Sequence, residues 1–187
     1  MAYDFGGGVP FAPSGRAKRL QREAGYSLKS ATSAGSPMPR IDPNQLNPRT
    51  GSNYPQPYAR QPAGRSKLAL GQAGGLTDFG VNLSRLPPGA WSSQRHWHSH
   101  EDEFVYLLSG ELTLITDAGE QLLHPGDCAA FSKNVPDGHH LINRGTETAV
   151  YLEIGSRVDA DVCSYPDIDL RADENGYTHK DGTPYPR

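Results

Sequence analysis

Three histidines and a glutamate within one short segment are the residue types of a metal site. His96, His98 and His100 are followed by Glu103, and six of the chain's seven histidines fall between residues 96 and 140. Imidazole nitrogens and a carboxylate oxygen form a mixed ligand set that suits manganese, iron, nickel, cobalt or zinc. A set that leaves one or two positions open lets the ion polarise a carbonyl, activate water or bind oxygen. The segment therefore predicts a site for one divalent transition metal.

The spacing of these residues predicts a strand, a turn and a second strand. Residues i and i+2 of a strand project from the same face, so His96 and His98 can bind one ion together. Glu103 comes five residues after His98, which would place it on the opposite face of one continuous strand. We therefore expect the polar residues 99–102 to form a turn or a bulge.

A second pair of histidines, about forty residues later, offers a further ligand. If His139 faces inward, Leu141 and Asn143 face the same way; if His140 is the ligand, the assignment reverses. The residues alone leave this choice open, although the spacing to Asn143 favours His139. Asn143 itself either orients a ligand or caps the end of the strand.

Short β-runs separated by turns predict an all-β barrel or sandwich. The 187 residues include 21 Gly and 16 Pro, and 35% hydrophobic residues suffice for one modest core. No long amphipathic helix competes with this interpretation. The runs with the composition of strands are Thr77–Leu86, Phe104–Leu108, Glu111–Thr116, Cys128–Phe131, His139–Asn143 and Ala149–Ile154.

The two histidine segments resemble the two sequence motifs of the cupin superfamily, which are small jelly-roll barrels. The first motif is matched by Gly89, His96, His98, Glu103 and Gly110, with one extra residue after Gly89. The second is matched by Gly126, His139 and Asn143, with His139 two residues late and no Pro-x-Gly in its usual place. The resemblance covers roughly residues 67–157. It implies a double-stranded β-helix (jelly-roll) barrel with irregular N- and C-terminal arms.

The resemblance also implies a ligand set and a class of function. The ligands carried over are His96, His98, Glu103 and His139, with His140, Asn143 and His100 as supporting residues or alternative ligands. The implied protein is a metal-dependent enzyme of the isomerase, dioxygenase or lyase class that acts on a small polar organic molecule. The alternative is a non-catalytic cupin that binds a sugar or small metabolite, because one fold hosts many functions. An inward-facing acid or base would discriminate between them, and the candidates are Arg95, Arg144 and Glu153.

The strand after Glu103 also bears on assembly. Phe104 and Tyr106 alternate with Glu103 and Val105, so we expect them to face outward. In the resembling family this surface often packs against a second subunit. The resemblance thus implies a homodimer.

Composition divides the chain into four segments. Residues 1–37 carry five basic residues against two acidic ones amid Gly and Ser, which predicts a disordered basic tail or an extension before an alternative start at Met38. Seven prolines from Pro37 to Pro62 predict a Pro-rich extended arm over residues 38–66, lying on the barrel or on a partner subunit. Residues 67–157 are the expected cupin barrel, and residues 158–187 a second, irregular arm.

Charge and cysteine content limit the classes of partner and the cellular location that we expect for the protein. The net charge of −3 becomes −6 for residues 38–187 once the +3 of the first segment is removed, which argues against a nucleic-acid partner. We expect neither secretion nor membrane insertion, because there is no signal-like apolar region and no run long enough to span a bilayer. Cys128 and Cys163 are too few for a disulfide framework or a thiolate metal site. The expectation is a cytoplasmic protein with a small-molecule ligand or substrate.

Overall fold

The computed structural model describes residues 40–186 of the chain. The predicted tail, residues 1–37, lies outside the described residues. Within them the regular structure is almost entirely β, with one four-residue α-helix, α1 (Leu70–Ala73), and two 3₁₀-helices, Pro43–Gln45 and Gln61–Gly64. The all-β prediction is confirmed.

The described part of the chain contains thirteen strands, and each of the six predicted runs corresponds to one of them. The predicted and observed ends agree within two residues. In chain order the strands are β1 (Arg49–Thr50), β2 (Ser66–Ala69), β3 (Phe79–Leu86), β4 (Trp97–His98), β5 (Glu103–Ser109), β6 (Leu112–Thr116), β7 (Gly119–Leu123), β8 (Cys128–Phe131), β9 (His140–Ile142), β10 (Ala149–Ser156), β11 (Cys163–Tyr165), β12 (Leu170–Asp173) and β13 (Gly176–Thr178).

Two antiparallel sheets enclose the core of a jelly-roll barrel. One has six strands in the order β1-β2-β3-β10-β5-β8, and the other has three in the order β7-β6-β9. Leu86, Leu107 and Tyr151 from the larger sheet and Leu114 and Leu141 from the smaller one pack into a single buried cluster. Burial of these apolar side chains is the main force that holds the two sheets together.

Successive side chains of β5 alternate between the interior of the barrel and its outer surface. Glu103 and Val105 are buried, whereas Phe104 and Tyr106 are 36% and 38% exposed. This confirms the predicted orientation, since successive side chains of a strand point to opposite faces. The barrel therefore carries one carboxylate inward at the start of β5 and a row of aromatic residues outward.

The turn between β5 and β6 requires a glycine. Gly110 has a φ of +79°, a conformation that other residues adopt only with strain. A Cβ atom at this position would also lie 2.7 Å from the Cα of Ala149, which is backbone and cannot move aside easily. The glycine thus allows β5 to turn closely against the start of β10.

The C-terminal arm contains more regular structure than the sequence predicted. Its three strands β11, β12 and β13 extend a four-stranded sheet whose other edge strand is β4. Cys163 lies opposite His98 and Ser164 opposite Trp97 in this pairing. The arm therefore attaches directly to the strand that carries the first histidine motif.

The N-terminal arm, where described, contacts the barrel and the C-terminal arm. Buried Arg65 donates from Nε to the carbonyl of Gly51 at 3.1 Å and from its guanidinium to the carbonyl of Ser92. Tyr54 packs edge-on against Tyr165 of the C-terminal arm, with ring centroids 5.7 Å apart. The two arms thus meet over the barrel. Among residues 40–186 there is no helix of the length and apolarity that crossing a bilayer would require.

Candidate metal centre

The two histidine segments are joined by backbone hydrogen bonds at the ligand positions themselves. His96 N–H donates to the carbonyl of His139 at 3.2 Å, and His139 N–H donates to that of His96 at 2.9 Å. Two residues further along, β4 carries His98, and β5 begins at Glu103. As expected, residues 99–102 turn the chain between these strands. This long-range backbone pairing, together with the turn before β5, therefore brings the four candidate ligands close together.

The Nε2 atoms of the three histidines converge on Glu103 Oε2. His139 Nε2 lies 2.9 Å from this oxygen, and the Nε2 atoms of His96 and His98 each lie 3.6 Å from it. Donors that share one ion at about 2.1 Å lie about 3.0–3.4 Å apart, depending on the coordination angle. All four residues are buried. The ligand atoms of His96, Glu103 and His139 lie within 4.8 Å of one another, as the ligands of one metal ion do, and His98 Nε2 lies close to the same carboxylate.

The orientation of His96 and His98 supports this fit. His96 Nδ1 lies 2.8 Å from the carbonyl oxygen of Gln94, so Nδ1 carries a proton and donates it. His98 Nδ1 lies 2.5 Å from Asp161 Oδ2 and donates in the same way. Within residues 40–186, neither Nε2 atom has a hydrogen-bond partner. Buried nitrogen lone pairs directed at a carboxylate are what a metal ion would satisfy.

Electrostatics hold most of the cluster in the protonation states that bind metals. Burial lowers the pKa of His96 well below its usual value and that of His139 to about 4, so both rings are neutral at pH 7. Burial opposes ionisation of Glu103, but His98 and the hydrogen bond from His139 hold its pKa well below the usual range. For His98, burial lowers the pKa and Glu103 and Asp161 more than compensate, so the net shift is upward.

His139, which directly precedes β9, and His140, its first residue, have different surroundings. The ring of His139 stacks on Phe131 with centroids 3.5 Å apart and its Nε2 reaches Glu103. His140 instead packs edge-on against Trp91, with its Nδ1 3.2 Å from the carbonyl oxygen of Ser93. The geometry brings His139 to the other candidate ligands and turns His140 away.

The other residues singled out from the sequence lie outside the cluster. Asn143 donates to the carbonyls of Leu86 and Glu147 at 2.6 and 2.8 Å, as a cap at the end of β9 would. His100 is exposed beside Ser99.

The three candidate acid or base residues also lie apart from the donors. Arg95 binds Asp117 and Asp167 outside the barrel, and Arg144 pairs with Glu120 on the surface. Glu153 faces inward, where it pairs with Lys67 at 2.6 Å. None of the three contacts the converging donors in the described structure.

Two residues beside the candidate ligands were not found from the sequence. Asp161, which orients His98, is 63 residues away from it in the C-terminal arm. Glu101 lies in the turn before β5, is 4% exposed, and has its pKa raised to about 7 by burial. No periodic pattern covers either position. For Glu101, the sequence signal was the run of three acidic residues at positions 101–103.

A cavity of about 190 Å³ opens beside the converging donors. His98, Glu103 and His139 form its floor, and Glu101 lies in its wall. It has room for about six water molecules at liquid density, so a small ligand could reach the metal position. The cavity is thus open to a small molecule, and the donors beside it are buried enough to strengthen electrostatic interactions.

Fold and site together define a small β-barrel protein with a candidate metal site of nitrogen and oxygen ligands inside the barrel. A family profile described as "Cupin domain" matches residues 82–155, which include all four converging residues. A sugar phosphate isomerase from a cupin superfamily of Silicibacter pomeroyi is 44% identical, with a TM-score of 0.74, over 79% of this chain and 96% of that one. The chain belongs to the cupin superfamily.

Two further comparisons agree with this fold. A protein of Acidithiobacillus ferrooxidans, provisionally named a sugar phosphate isomerase, is 35% identical with a TM-score of 0.60, over 67% of this chain and 82% of that one. A predicted oxalate decarboxylase of Thermotoga maritima shares the fold at 19% identity and a TM-score of 0.53, over 64% of this chain and 99% of that one. A search of curated proteins finds no match.

Proposed function

We propose that this cupin is a metal-dependent enzyme of the isomerase class that acts on a small, polar hydroxy-carbonyl compound. The observation that carries the proposal is the convergence of three imidazole Nε2 atoms on Glu103 Oε2 beside an open cavity. The names of the two relatives at 44% and 35% identity support an isomerase over the dioxygenase and lyase classes.

The ligands in this proposal are His96, His98, Glu103 and His139. They would hold one manganese, iron, nickel, cobalt or zinc ion, which when bound would polarise a substrate carbonyl and lower the barrier to proton movement at the adjacent carbon. Gln94 and Asp161 fix the rings of His96 and His98, and Phe131 fixes that of His139. Rigid ligands of this kind keep the geometry of the site constant while the substrate changes.

The outer face of the six-stranded sheet suits a homodimer, which we include in the proposal. The strand register places Leu152 beside Tyr106 and Ile154 beside Phe104, so the exposed aromatic residues belong to a continuous apolar surface. Contiguous apolar patches on a protein surface mark interaction sites. Cys128 and Cys163 are both free thiols, which is consistent with the reducing cytoplasm proposed as the location.

Activity on defined substrates tests the proposal. The protein would be loaded in turn with Mn²⁺, Fe²⁺, Co²⁺, Ni²⁺ and Zn²⁺, and the interconversion of aldoses and ketoses, free and phosphorylated, followed by proton NMR. We expect turnover with at least one metal and its loss in Glu103→Gln, which removes the central carboxylate at nearly constant volume. Metal binding without turnover of any pair would instead favour a non-catalytic cupin that binds a sugar or small metabolite.

A further inference from the structure

A second cavity of about 580 Å³, which we call the outer cavity, lies between the barrel and its two arms. One wall is the outer face of the three-stranded sheet, where Ile115 of β6 and His140 of β9 stand opposite each other. The neighbouring residues Leu114 and Leu141 point the other way, into the core. The volume is within the range of about 300–1,000 Å³ that small-molecule sites occupy.

His140 presents a hydrogen-bond acceptor to the outer cavity. The residue lines this cavity and is only 5% exposed. Its Nδ1 atom lies 3.2 Å from the carbonyl oxygen of Ser93, so Nδ1 carries the proton and donates it. Burial disfavours a charged ring, which leaves Nε2 as an acceptor. Unlike the Nε2 atoms of His96 and His98, that of His140 is not fully enclosed, and no other described residue pairs with it.

The neighbouring polar groups of the wall are already paired with one another. Gln94 is the other buried residue of the wall, and its amide donates to the carbonyl of Tyr58 at 2.7 Å and to Gln61 Oε1 at 3.2 Å. Arg95 donates to both carboxylate oxygens of Asp167, at 2.7 and 2.6 Å. The buried part of the wall therefore leaves the acceptor of the imidazole for a bound molecule.

The rest of the wall is largely apolar. Trp91 packs edge-on against His140, with ring centroids 4.7 Å apart, and the arms contribute Tyr58 and Ile168. Arg60 also lines the cavity, but it is exposed, so water solvates its charge. Aromatic and aliphatic side chains around one acceptor suit a flat apolar ring that carries a single donor group.

We propose that the outer cavity binds a small aromatic compound that carries a hydroxyl or N–H group, and that His140 Nε2 accepts a hydrogen bond from this group. Such a donor gives the buried acceptor a partner, which a purely hydrocarbon ligand does not. The outer cavity shares no lining residue with the cavity beside His139. This site thus goes beyond the proposed function and does not depend on it.

The two tryptophans of the chain allow each cavity to be observed separately. Trp91 lines the outer cavity, and Trp97 lines the cavity beside the candidate ligands. In a proton–nitrogen correlation NMR spectrum each indole N–H gives its own signal, and Trp97→Phe assigns the two. We expect titration with phenol to shift the Trp91 signal saturably and to leave that of Trp97 unchanged. No saturable shift of the Trp91 signal, or a shift confined to that of Trp97, would overturn the proposal.

Phenol and anisole isolate the hydrogen bond, because both have a ring and an oxygen atom but only phenol donates. His140→Phe keeps a ring against Trp91 and removes the acceptor. We expect the ratio of phenol affinity to anisole affinity to fall about threefold to tenfold in this variant, the effect of one hydrogen bond. His100→Phe is the matched control, since this histidine is exposed elsewhere, and should keep the wild-type ratio. An equal ratio in the wild type and in a folded His140→Phe would count against the proposal.

The imidazole nitrogen signals of the wild type decide the outcome if His140→Phe does not fold. A hydrogen bond from the ligand changes the chemical shift of His140 Nε2, so phenol should move this signal and anisole should not. If phenol and anisole leave the signal at the same position, His140 is not the acceptor and the proposal fails.

Discussion

The carboxyl group of Glu101 is buried beside His98, and its burial should make stability depend on pH. Its pKa in the folded protein is raised from 4.5 to about 7, so the folded state favours the neutral acid. As pH rises through this window, the folded protein must bury a charge that the unfolded chain exposes to water. The metal-free wild type should therefore lose up to about 3 kcal/mol of unfolding free energy between pH 5 and pH 8 through this group.

Glu101→Gln isolates this contribution, because the amide mimics the neutral acid and keeps an acceptor for Val158. Urea unfolding of both proteins in the presence of a chelator would give the free energies at each pH. We expect the variant to be the more stable of the two at pH 8, with the difference shrinking toward pH 5. A difference that does not change with pH would contradict the account of Glu101.

Asp161 acts on the proposed metal site through His98, whose Nδ1 proton it accepts at 2.5 Å. Removing a carboxylate that orients a metal-binding histidine typically costs 10–100-fold in metal affinity. We expect Asp161→Ala to lose about that much in competition with a fluorescent chelator, while remaining folded. Asp159→Ala is the matched control, since this aspartate is exposed on the same segment. Equal affinities for the two variants would show that Asp161 has no orienting role.

At the level of strands and turns, the first motif could be predicted because its chemistry follows strand periodicity. His96 and His98 share a face, and the polar turn before Glu103 restores the parity of β5. Glu101 could not be assigned in the same way, because a turn has no fixed period that says which of its side chains points inward. Asp161 could not be predicted for a different reason, since its contact with His98 depends on how the C-terminal arm pairs with β4.

The glycine at the β5–β6 turn should be essential to the fold, and a second glycine supplies its control. Gly110 and Gly89 have almost the same φ, +79° and +78°, but only Gly110 has backbone atoms of Ala149 in the way of a Cβ. Gly89→Ala should cost about 1–2 kcal/mol for the left-handed conformation alone. Gly110→Ala should cost clearly more, as measured by urea unfolding. Equal losses would mean that the close approach to Ala149 is relieved without cost.

For the whole molecule, the arms were the hardest part to predict. The strands β11–β13 have only three or four residues each. Although Leu170–Asp173 alternates apolar and polar residues, a run this short among Asp, Gly and Pro does not stand out from a turn region. Their stability comes from contacts distant in sequence, such as the packing of Tyr54 against Tyr165. Tertiary packing of this kind overrides weak local preference.

The outer face of the six-stranded sheet predicts the state of assembly. We expect the wild type to sediment as a dimer, and Phe104→Asp to shift it toward monomer because a charge would be buried in the apolar interface. Leu122→Asp is the control, since Leu122 is 55% exposed on β7 of the other sheet. A wild type that sediments as a monomer at all concentrations, or a Phe104→Asp dimer as stable as the wild type, would contradict this assignment.

The metal content of the purified protein tests the central claim most directly. Protein prepared without chelator or affinity metal would be analysed by mass spectrometry for the wild type, His98→Ala and His100→Ala. His98 is one of the four converging residues, whereas His100 is an exposed neighbour, so the pair separates the site from general histidine binding. We expect close to one transition-metal ion per chain in the wild type and in His100→Ala, and little in His98→Ala. A wild type that is empty and cannot be loaded, or a His98→Ala variant that keeps its metal, would contradict the account.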